Sequence, residues 1–239
     1  MWLAMDTASD RASVAIGLGA GDAVEESLSG ARRHAAALLP MIQAVLQRRG
    51  ATLDRVTGLV VSDGPGSFTG LRVGASVGKA LARARGLPLW TAPSLIVRAA
   101  GVAGPGRRLV LAVADALRGE VYAAAARFEA GRVQVELEPG VWQPEALARL
   151  DLAPDALVGE APAAAVAVLE RWTGVELIRP PRGSPHAAEL IGLVAAQGGA
   201  RRVDDVQGWE PVYGRPAEAQ ARWEAAHGRP LSDSVGGAR

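Results

Sequence analysis

Two aspartates close short apolar strands near the start of each half of the chain. Asp6 follows the apolar run 2–5, and Asp115 follows the apolar run 109–114. Carboxylates at such strand ends would face the cleft of a two-lobed nucleotide-binding protein, where they can hold a metal ion or a water molecule. Asp is also common where a strand passes into a turn, because its side chain hydrogen-bonds the nearby backbone. The residues alone leave both interpretations open.

A turn rich in hydroxyl groups follows Asp6. Thr7 and Ser9 lie between two predicted strands, so the turn offers hydroxyls and backbone amides that can cradle a phosphate. An ordinary polar hairpin has the same composition. Asp6, Thr7, Ser9 and Asp115 therefore form a candidate phosphate or cleft site, which we interpret as vestigial.

The glycine-rich segment 64–70 does not match a nucleotide-binding motif. A P-loop needs a Lys directly after its last Gly, and Leu71 stands there. The dinucleotide fingerprint Gly-x-Gly-x-x-Gly is not matched either, because the next glycine after Gly66 is Gly70. The three histidines lie far apart in the sequence, and there are no cysteines. We therefore expect no catalytic residue, no metal site and no cofactor.

The composition is typical of an ordinary globular chain. Its 239 residues suffice for one large domain or two small ones with a sizeable core. The net charge of +1 gives no reason to expect direct binding to nucleic acid or to an anionic membrane. The N-terminus lacks the basic start of a signal peptide, and no run approaches the ~20 apolar residues that span a bilayer. We expect a soluble cytoplasmic protein.

Hydrophobic periodicity predicts alternating strands and helices in the first half. Strands are predicted at 2–5, 13–18, 23–28, 56–62 and 87–91, and helices at 31–48, 67–86 and 94–101. Ser67 is expected to cap its helix and Gly86 to end it. Pro40 indicates that the helix at 31–48 either starts near it or kinks there. A Gly/Pro-rich stretch at 104–108 is the best domain boundary.

The second half repeats this layout. A strand, an Asp, a turn and two further strands recur at 109–114, 120–125 and 132–137. Helices are predicted at 144–150, 162–172 and 185–197, and strands at 155–158 and 175–178. The pattern predicts an α/β chain of two lobes, 1–103 and 104–207. A tail at 208–239 is expected to be partly disordered and to return to the N-terminal lobe.

The helix after Ser67 has almost no polar face. At 100° per residue its polar side chains share one narrow stripe, formed by Arg72, Ser76, Lys79 and Arg83. The helix must therefore be covered on two sides, by its own sheet and by a partner. We interpret the apolar side as a docking ridge, because a second helix could approach its three glycines, Gly70, Gly74 and Gly78.

Several blocks of the sequence resemble the TsaB (YeaZ) family in order and spacing, from about Met1 to Arg215. The blocks are Met5-Asp-Thr-Ala8, His34 with Leu38-Leu-Pro-Met-Ile42, Gly64-Pro-Gly-Ser-Phe-Thr-Gly-Leu-Arg-Val-Gly74, Ser94-Leu95, Asp115-Ala-Leu-Arg-Gly-Glu-Val-Tyr122 and Glu210-Pro-Val-Tyr213. The block that begins at Gly64 is very specific to the family. The block that begins at Asp115 departs slightly from the family's Asp-Ala-Arg-x-Gly-Glu-Val-Tyr.

The resemblance implies an actin/Hsp70-like (ASKHA) two-lobed fold, in which each lobe is a mixed sheet with flanking helices. It also implies a non-catalytic subunit that binds and activates TsaD, which transfers a threonylcarbamoyl group to the tRNA adenosine 3′ of the anticodon. TsaE, an ATPase, is the implied third member, and tRNA is reached only through the complex. The isolated chain is expected to be able to form a homodimer.

The family's dimer surface lies on its first two helices, which correspond here to 31–48 and 67–85. The residues that this implies for a partner interface are His34, Leu38, Ile42, Gly70, Val73, Gly74, Val77, Gly78 and Leu81.

The alternative is an independent small-molecule kinase or ATPase of the same fold that uses Asp6 and Asp115. Leu117 occupies the Gly position of an actin-type phosphate loop, which argues against this alternative. The catalytic relative's metal pair H-x-x-x-H is also missing, because Leu38 stands four residues after His34. A peptidase is a weaker variant, since no nucleophile–base pair is visible in the sequence.

Overall fold

The computed structural model describes residues 1–30, 34–104, 106 and 108–214. Among these residues, six strands form the first sheet in the order β11-β5-β4-β1-β2-β3. The strands are β1 (Trp2–Asp6), β2 (Arg11–Gly17), β3 (Val24–Ser29), β4 (Gly58–Ser62), β5 (Leu89–Ala92) and β11 (Arg201–Arg202). The first three form an antiparallel meander, and β4 and β5 extend it in parallel with β1.

Helices cover both faces of the first sheet because successive strand residues point to opposite sides. Leu3 and Met5 pack on one face with helix α1 (His34–Arg48) and helix α2 (Phe68–Arg85). Ala4 lies between them in the sequence and packs on the other face, with helix α3 (Ser94–Ala103) and helix α6 (Ala187–Ala195). This alternation places the larger side chains under α1 and α2.

The second sheet comprises five strands among the described residues, in the order β10-β9-β6-β7-β8. They are β6 (Arg108–Asp115), β7 (Val121–Glu129), β8 (Arg132–Trp142), β9 (Ala156–Gly159) and β10 (Leu177–Ile178). A short helix, α4 (Pro144–Leu147), and helix α5 (Ala163–Thr173) cover one face together with Leu111 and Leu157. The opposite face packs against α3.

Both sheets have the same topology, an antiparallel meander followed by two parallel strands on the other side of its first strand. Helices α3 and α6 lie between the sheets, where Leu95, Ile96 and Leu190 share one core with Val60 of the first sheet and Val110 of the second. The predicted pair of mixed sheets with flanking helices is confirmed.

Helix α6 is held to the first sheet by a polar cluster on its first turn. Glu25 accepts hydrogen bonds from the amide of Ala188 at 3.0 Å and from Arg11 Nη2 at 2.9 Å. His186 Nδ1 lies 2.9 Å from the same carboxylate, and the hydroxyl of Ser13 accepts the amide of Ala187. A carboxylate here also favours the helix, since it faces the positive end of the helix dipole.

Some element bounds differ from those predicted. Strand β8 continues to Trp142, and α1 runs without interruption through Pro40 from His34 onward. Residues 31–33 of the predicted helix lie outside the described residues, as does the predicted tail beyond 214. The short strand β11 was not predicted, and it pairs with β5 of the first sheet. The division into 1–103, 104–207 and 208–239 stays a prediction.

Among the described residues, no helix combines the length and the apolar character that crossing a membrane requires.

Candidate functional site

The turn before α2 is packed tightly against the β1–β2 hairpin. The amide of Ser67 donates to the carbonyl of Ala8 at 2.7 Å, and the Ser67 hydroxyl accepts the amide of Gly70 at 3.2 Å. A side chain at Gly66 would overlap that same Ala8 carbonyl. The predicted cap is therefore confirmed, as is the helix end at Gly86, which has a left-handed φ of 63°.

The glycine stripe of α2 faces the chain's own first sheet. A Cβ on Gly70 would overlap the carbonyl oxygen of Thr7, and a Cβ on Gly74 would lie 2.5 Å from Thr7 Oγ1. At Gly78 it would lie 3.1 Å from Val61. This corrects the interpretation of the three glycines as a ridge for a partner, because the close approach that they permit is to β1 and β4.

The three residues expected from α1 are also covered within the chain. His34, Leu38 and Ile42 are buried, and the two aliphatic side chains pack in the core beneath α1. His34 Nε2 lies 3.0 Å from the carbonyl of Asp10, so the ring joins the start of α1 to the β1–β2 hairpin. Their side chains are therefore covered by the chain itself and are not open to a partner.

The remaining expected residues, on α2, pack at the margin of the chain's own core. Val73, Val77 and Leu81 are half-buried. Beside them is a shallow depression of about 470 Å³, which we call the α1–α2 groove; its lining residues are Ala35, Phe68, Thr69, Arg72, Val73, Ser76 and Val77. Leu39 of α1 is 56% exposed. The Arg72 guanidinium lies 5.6 Å from the Phe68 ring, which adds a cation at one edge of the groove.

Sequence reasoning missed Phe68 and Leu39 as surface residues. The available signal was helical phase: once the glycines are assigned to the sheet, the opposite side of α2 must face outward. Of the predicted polar stripe, Arg72, Ser76 and Arg83 are exposed. Lys79 is half-buried and donates to Glu210.

A segment near the end of the described chain crosses the start of α2; we call residues 209–214 the strap. The amide of Val212 donates to the carbonyl of Asp63 at 2.7 Å, and the Tyr213 ring lies 4.6 Å from the Phe68 ring. Lys79 Nζ donates to Glu210 Oε1 at 2.9 Å, and this bond lowers the pKa of Glu210.

Within the strap, the pKa of Tyr213 is raised above its ordinary value. Burial raises the pKa of this phenol, and the charge of Glu210 raises it further. Its hydroxyl donates to Glu210 Oε2 at 3.2 Å.

A cavity of about 370 Å³ lies between the lobes. Its walls come from the β1–β2 hairpin, the start of α2, helix α3 and the β6–β7 hairpin. Ser9 and Asp115 both line this cavity. Asp115 is exposed, and its Oδ1 accepts the amide of Leu117 at 2.7 Å.

Asp6 and Thr7 do not line this cavity. Thr7 is buried and donates to the carbonyl of Gly70, while Asp6 is 0% exposed and accepts the amide of Ala8 at 3.2 Å. Burial raises the pKa of Asp6, and the nearby Ser62 hydroxyl, the Ala8 amide and Arg98 lower it in part. Asp6 is therefore a structural carboxyl beneath the hairpin. Over the described stretches, no three His, Asp or Glu residues are grouped as metal ligands.

Known proteins resemble the chain over different spans. Over 122 residues it is 38% identical to TsaB of Escherichia coli (strain K12), a "tRNA threonylcarbamoyladenosine biosynthesis protein". The matched region covers 50% of this chain and 52% of that protein. The chain thus spans about half the length of this relative. The protein of the same name from Bacillus subtilis (strain 168) is 28% identical over 200 residues, covering 80% and 84%.

Among solved structures, an uncharacterised Pseudomonas aeruginosa protein described as similar to the peptidase YeaZ superposes with a TM-score of 0.73. It is 28% identical, and the superposition covers 90% of this chain and 99% of that one. YeaZ from Pseudomonas aeruginosa superposes with a TM-score of 0.66 at 26% identity, covering 89% and 98%.

The duplicated sheet topology, with a cavity between two equivalent hairpins, defines a two-lobed protein of the actin/Hsp70-like class. The sequence model of the family described as "TsaD: tRNA N6-adenosine threonylcarbamoyltransferase" matches residues 28–189, which is more than half of the chain. With the relatives above, this match shows that the chain belongs to that family, in its TsaB (YeaZ) branch. The resemblance noted in the sequence is confirmed.

Proposed function

We propose that this chain is a non-catalytic subunit in tRNA threonylcarbamoyladenosine biosynthesis, which binds and activates a TsaD-type threonylcarbamoyltransferase. The observation that carries the proposal is the α1–α2 groove. Phe68, Val73 and Val77 of α2 line the groove and are half-buried, and Leu39 of α1 is exposed. Both helices that the family resemblance assigns to docking therefore carry apolar side chains at the surface.

The groove has the character of a protein interface. Phe68, Val73 and Val77 supply an apolar centre, and Arg72 supplies a cation at the edge. Interfaces are enriched in aromatic residues and Arg, with charged groups confined to the rim. A partner helix that presents small or aliphatic residues and one acidic residue would complement this surface.

The other members of the assembly follow from the same proposal. TsaE is a third subunit, and tRNA is bound through the complex. In the absence of TsaD, two copies of this chain associate through the same groove, because an isologous contact would bury the same apolar side chains.

The alternative of a small-molecule kinase or ATPase is not favoured by the geometry. It requires Asp6 to reach a ligand in the cavity, but Asp6 is fully buried beneath the hairpin. Only Asp115 of the two acids lines the cavity.

Co-purification with TsaD from the same organism tests the proposal, followed by an assay of threonylcarbamoyladenosine formation with and without this chain. Val77→Arg places a charged side chain at the floor of the groove, and we expect it to abolish both co-purification and activation. Val141→Arg is the matched control, because Val141 is an exposed valine on β8 of the second lobe.

We expect the Val141→Arg chain to behave like the unmodified chain. Retained TsaD binding by Val77→Arg would show that docking uses another surface. If tRNA modification by TsaD did not depend on the unmodified chain at all, the proposed function would be wrong.

A further inference from the structure

Arg98 lies on α3 at the bottom of the cavity between the lobes. The residue is 3% exposed, and its Nη2 donates to Glu160 Oε1 at 3.0 Å. Its Nη1 is buried, yet it has no hydrogen-bond partner among the described residues. Burying an N–H donor of a charged group without an acceptor costs free energy. Such donors are therefore usually paired with an anion or with water.

The start of helix α2 lines the same cavity. Ser67 and Phe68 stand at the N-terminus of this 18-residue helix, and its first turn carries no acidic residue. The amides at a helix N-terminus and the helix dipole together favour a negative group. Arg98 and the helix start are independent features on different elements, and both favour an anion.

The acids at this cavity limit the charge of that anion. Asp10, Asp115 and Glu160 line it, and the buried Asp6 interacts electrostatically with Arg98. These four carboxyl groups, with one guanidinium among the lining residues, disfavour a ligand with two negative charges. A carboxylate, with one charge and two coplanar oxygens, matches the planar guanidinium.

Much of the remaining wall is apolar or aromatic. It includes the rings of Phe68, Tyr122 and Tyr213 and the side chain of Leu95. A volume of about 370 Å³ accommodates a small molecule. We propose that the cavity between the lobes binds a small organic acid, whose carboxylate is held by Arg98 and the start of α2 and whose apolar part contacts the aromatic walls.

Isothermal titration calorimetry with benzoate as the probe tests this site. We expect benzoate to bind with a Kd on the order of 1 mM. Benzyl alcohol, which has the same ring without the charge, should bind at least about tenfold more weakly. Phenyl phosphate reports on the second charge, and we expect it to bind more weakly than benzoate at pH 8, where it is a dianion.

Two substitutions locate the anion. Arg98→Met should lower benzoate affinity at least about tenfold, with circular dichroism used to check folding. Glu160→Gln is the second variant; the Glu160 side chain is 48% exposed, so the change spares the core. Because it frees Arg98 and removes a negative charge, we expect it to tighten benzoate binding severalfold.

Glu136→Gln is the matched control, since Glu136 pairs with Arg127 between β7 and β8, outside the cavity lining. We expect its benzoate affinity to equal that of the unmodified chain. Absence of benzoate binding at about 50 mM would overturn the proposal. Equal affinities in Glu160→Gln and Glu136→Gln would place the anion elsewhere, and tighter binding of phenyl phosphate would overturn the assignment to a carboxylate.

Binding to the isolated chain does not depend on TsaD. Failure of this proposal is therefore distinguishable from failure of the proposed function.

Discussion

The hydroxyl of Thr7 donates to the carbonyl of Gly70 at 2.7 Å, which joins the end of β1 directly to the first turn of α2. The bond requires the helix backbone to approach the strand, and glycines at 70, 74 and 78 permit that approach. The specific glycine block of this chain thus serves its own fold. In the proposed complex these glycines would act on a partner only indirectly, because they set the distance between the outer face of α2 and the sheet.

Substituting Gly74 with Ala should destabilise the fold. The new methyl would lie 2.5 Å from Thr7 Oγ1, so α2 must shift outward, at a cost of about 1–3 kcal/mol. This exceeds the gain of up to about 1 kcal/mol that Ala has over Gly in a helix. Urea unfolding of the variant measures the difference.

The matched control for that change is Gly101→Ala on α3. Gly101 is exposed, and a methyl there would make only an ordinary contact, at 3.9 Å from Glu189. We expect this variant to be more stable than the unmodified chain by up to about 1 kcal/mol. Equal effects of the two substitutions would mean that the contact between Gly74 and Thr7 is not tight.

Thr7→Val should lower the free energy of unfolding by about 1–2 kcal/mol. The two side chains have the same shape, but the variant loses the buried hydrogen bond to Gly70. Thr57→Val is the control, because Thr57 is exposed where it meets the chain terminus. A change within about 0.5 kcal/mol is expected there. Chemical denaturation at one pH compares the two, and a loss at Thr57 as large as that at Thr7 would contradict the argument.

Asp6→Asn should change how stability depends on pH. Burial raises the pKa of Asp6 in the folded chain above its ordinary value of 3.8. A raised folded pKa means that the protonated carboxyl stabilises the fold fully below pH 3.8, and that this stabilisation is lost as pH rises through the folded pKa. The unmodified chain should therefore lose stability relative to Asp6→Asn as pH increases above about 4.

Thermal unfolding of both chains across that pH range measures the effect. Asp22→Asn provides a comparison of opposite sign, because hydrogen bonds from the amides of Gly19 and Leu18 lower the pKa of Asp22. The stabilisation from Asp22 is present above its unfolded pKa and is lost as pH falls through the folded one. Parallel pH curves for the unmodified chain and Asp6→Asn would show that Asp6 ionises normally.

Tyr213→Ala should loosen the strap. The ring contact with Phe68 is lost, and opening of the bond between the Val212 amide and Asp63 becomes easier by about 1 kcal/mol. Hydrogen exchange of the Val212 amide should then be several times faster. Tyr213→Phe keeps the ring and removes only the bond to Glu210, so exchange close to that of the unmodified chain is expected. Fast exchange in both variants would assign the effect to the hydroxyl instead.

Much of the fold was predictable because its signals are local. The cap at Ser67 depends on an amide three residues away, and the end at Gly86 depends on that glycine's own left-handed backbone. Strand alternation likewise separates Leu3 and Met5 from Ala4 within one strand. The repeat of the lobe layout and the family blocks are properties of sequence order alone.

The site was predictable only in part. Ser9 and Asp115 both line the cavity, because Ser9 follows β1 and Asp115 ends β6, and these are the first strands of the two sheets. Asp6 is buried instead, since its position at the strand end does not specify which way the carboxyl turns. The burial of Arg98 was not predictable, because one Arg among several in a helical sequence carries no local signal of burial.

The sequence by itself determined most of the helices and strands, the cap and the end of α2, the repeated order of elements and the family. Only the tertiary structure decided which side of α2 meets the sheet, that His34 supports the hairpin, that β11 joins β5, and that Arg98 lies between the lobes. The physical reason is the distance along the sequence over which each interaction acts. Periodicity and capping act within one or two turns of chain, whereas the cover on each face comes from residues far away in the sequence, such as Thr7 beneath Gly70 and Gly74.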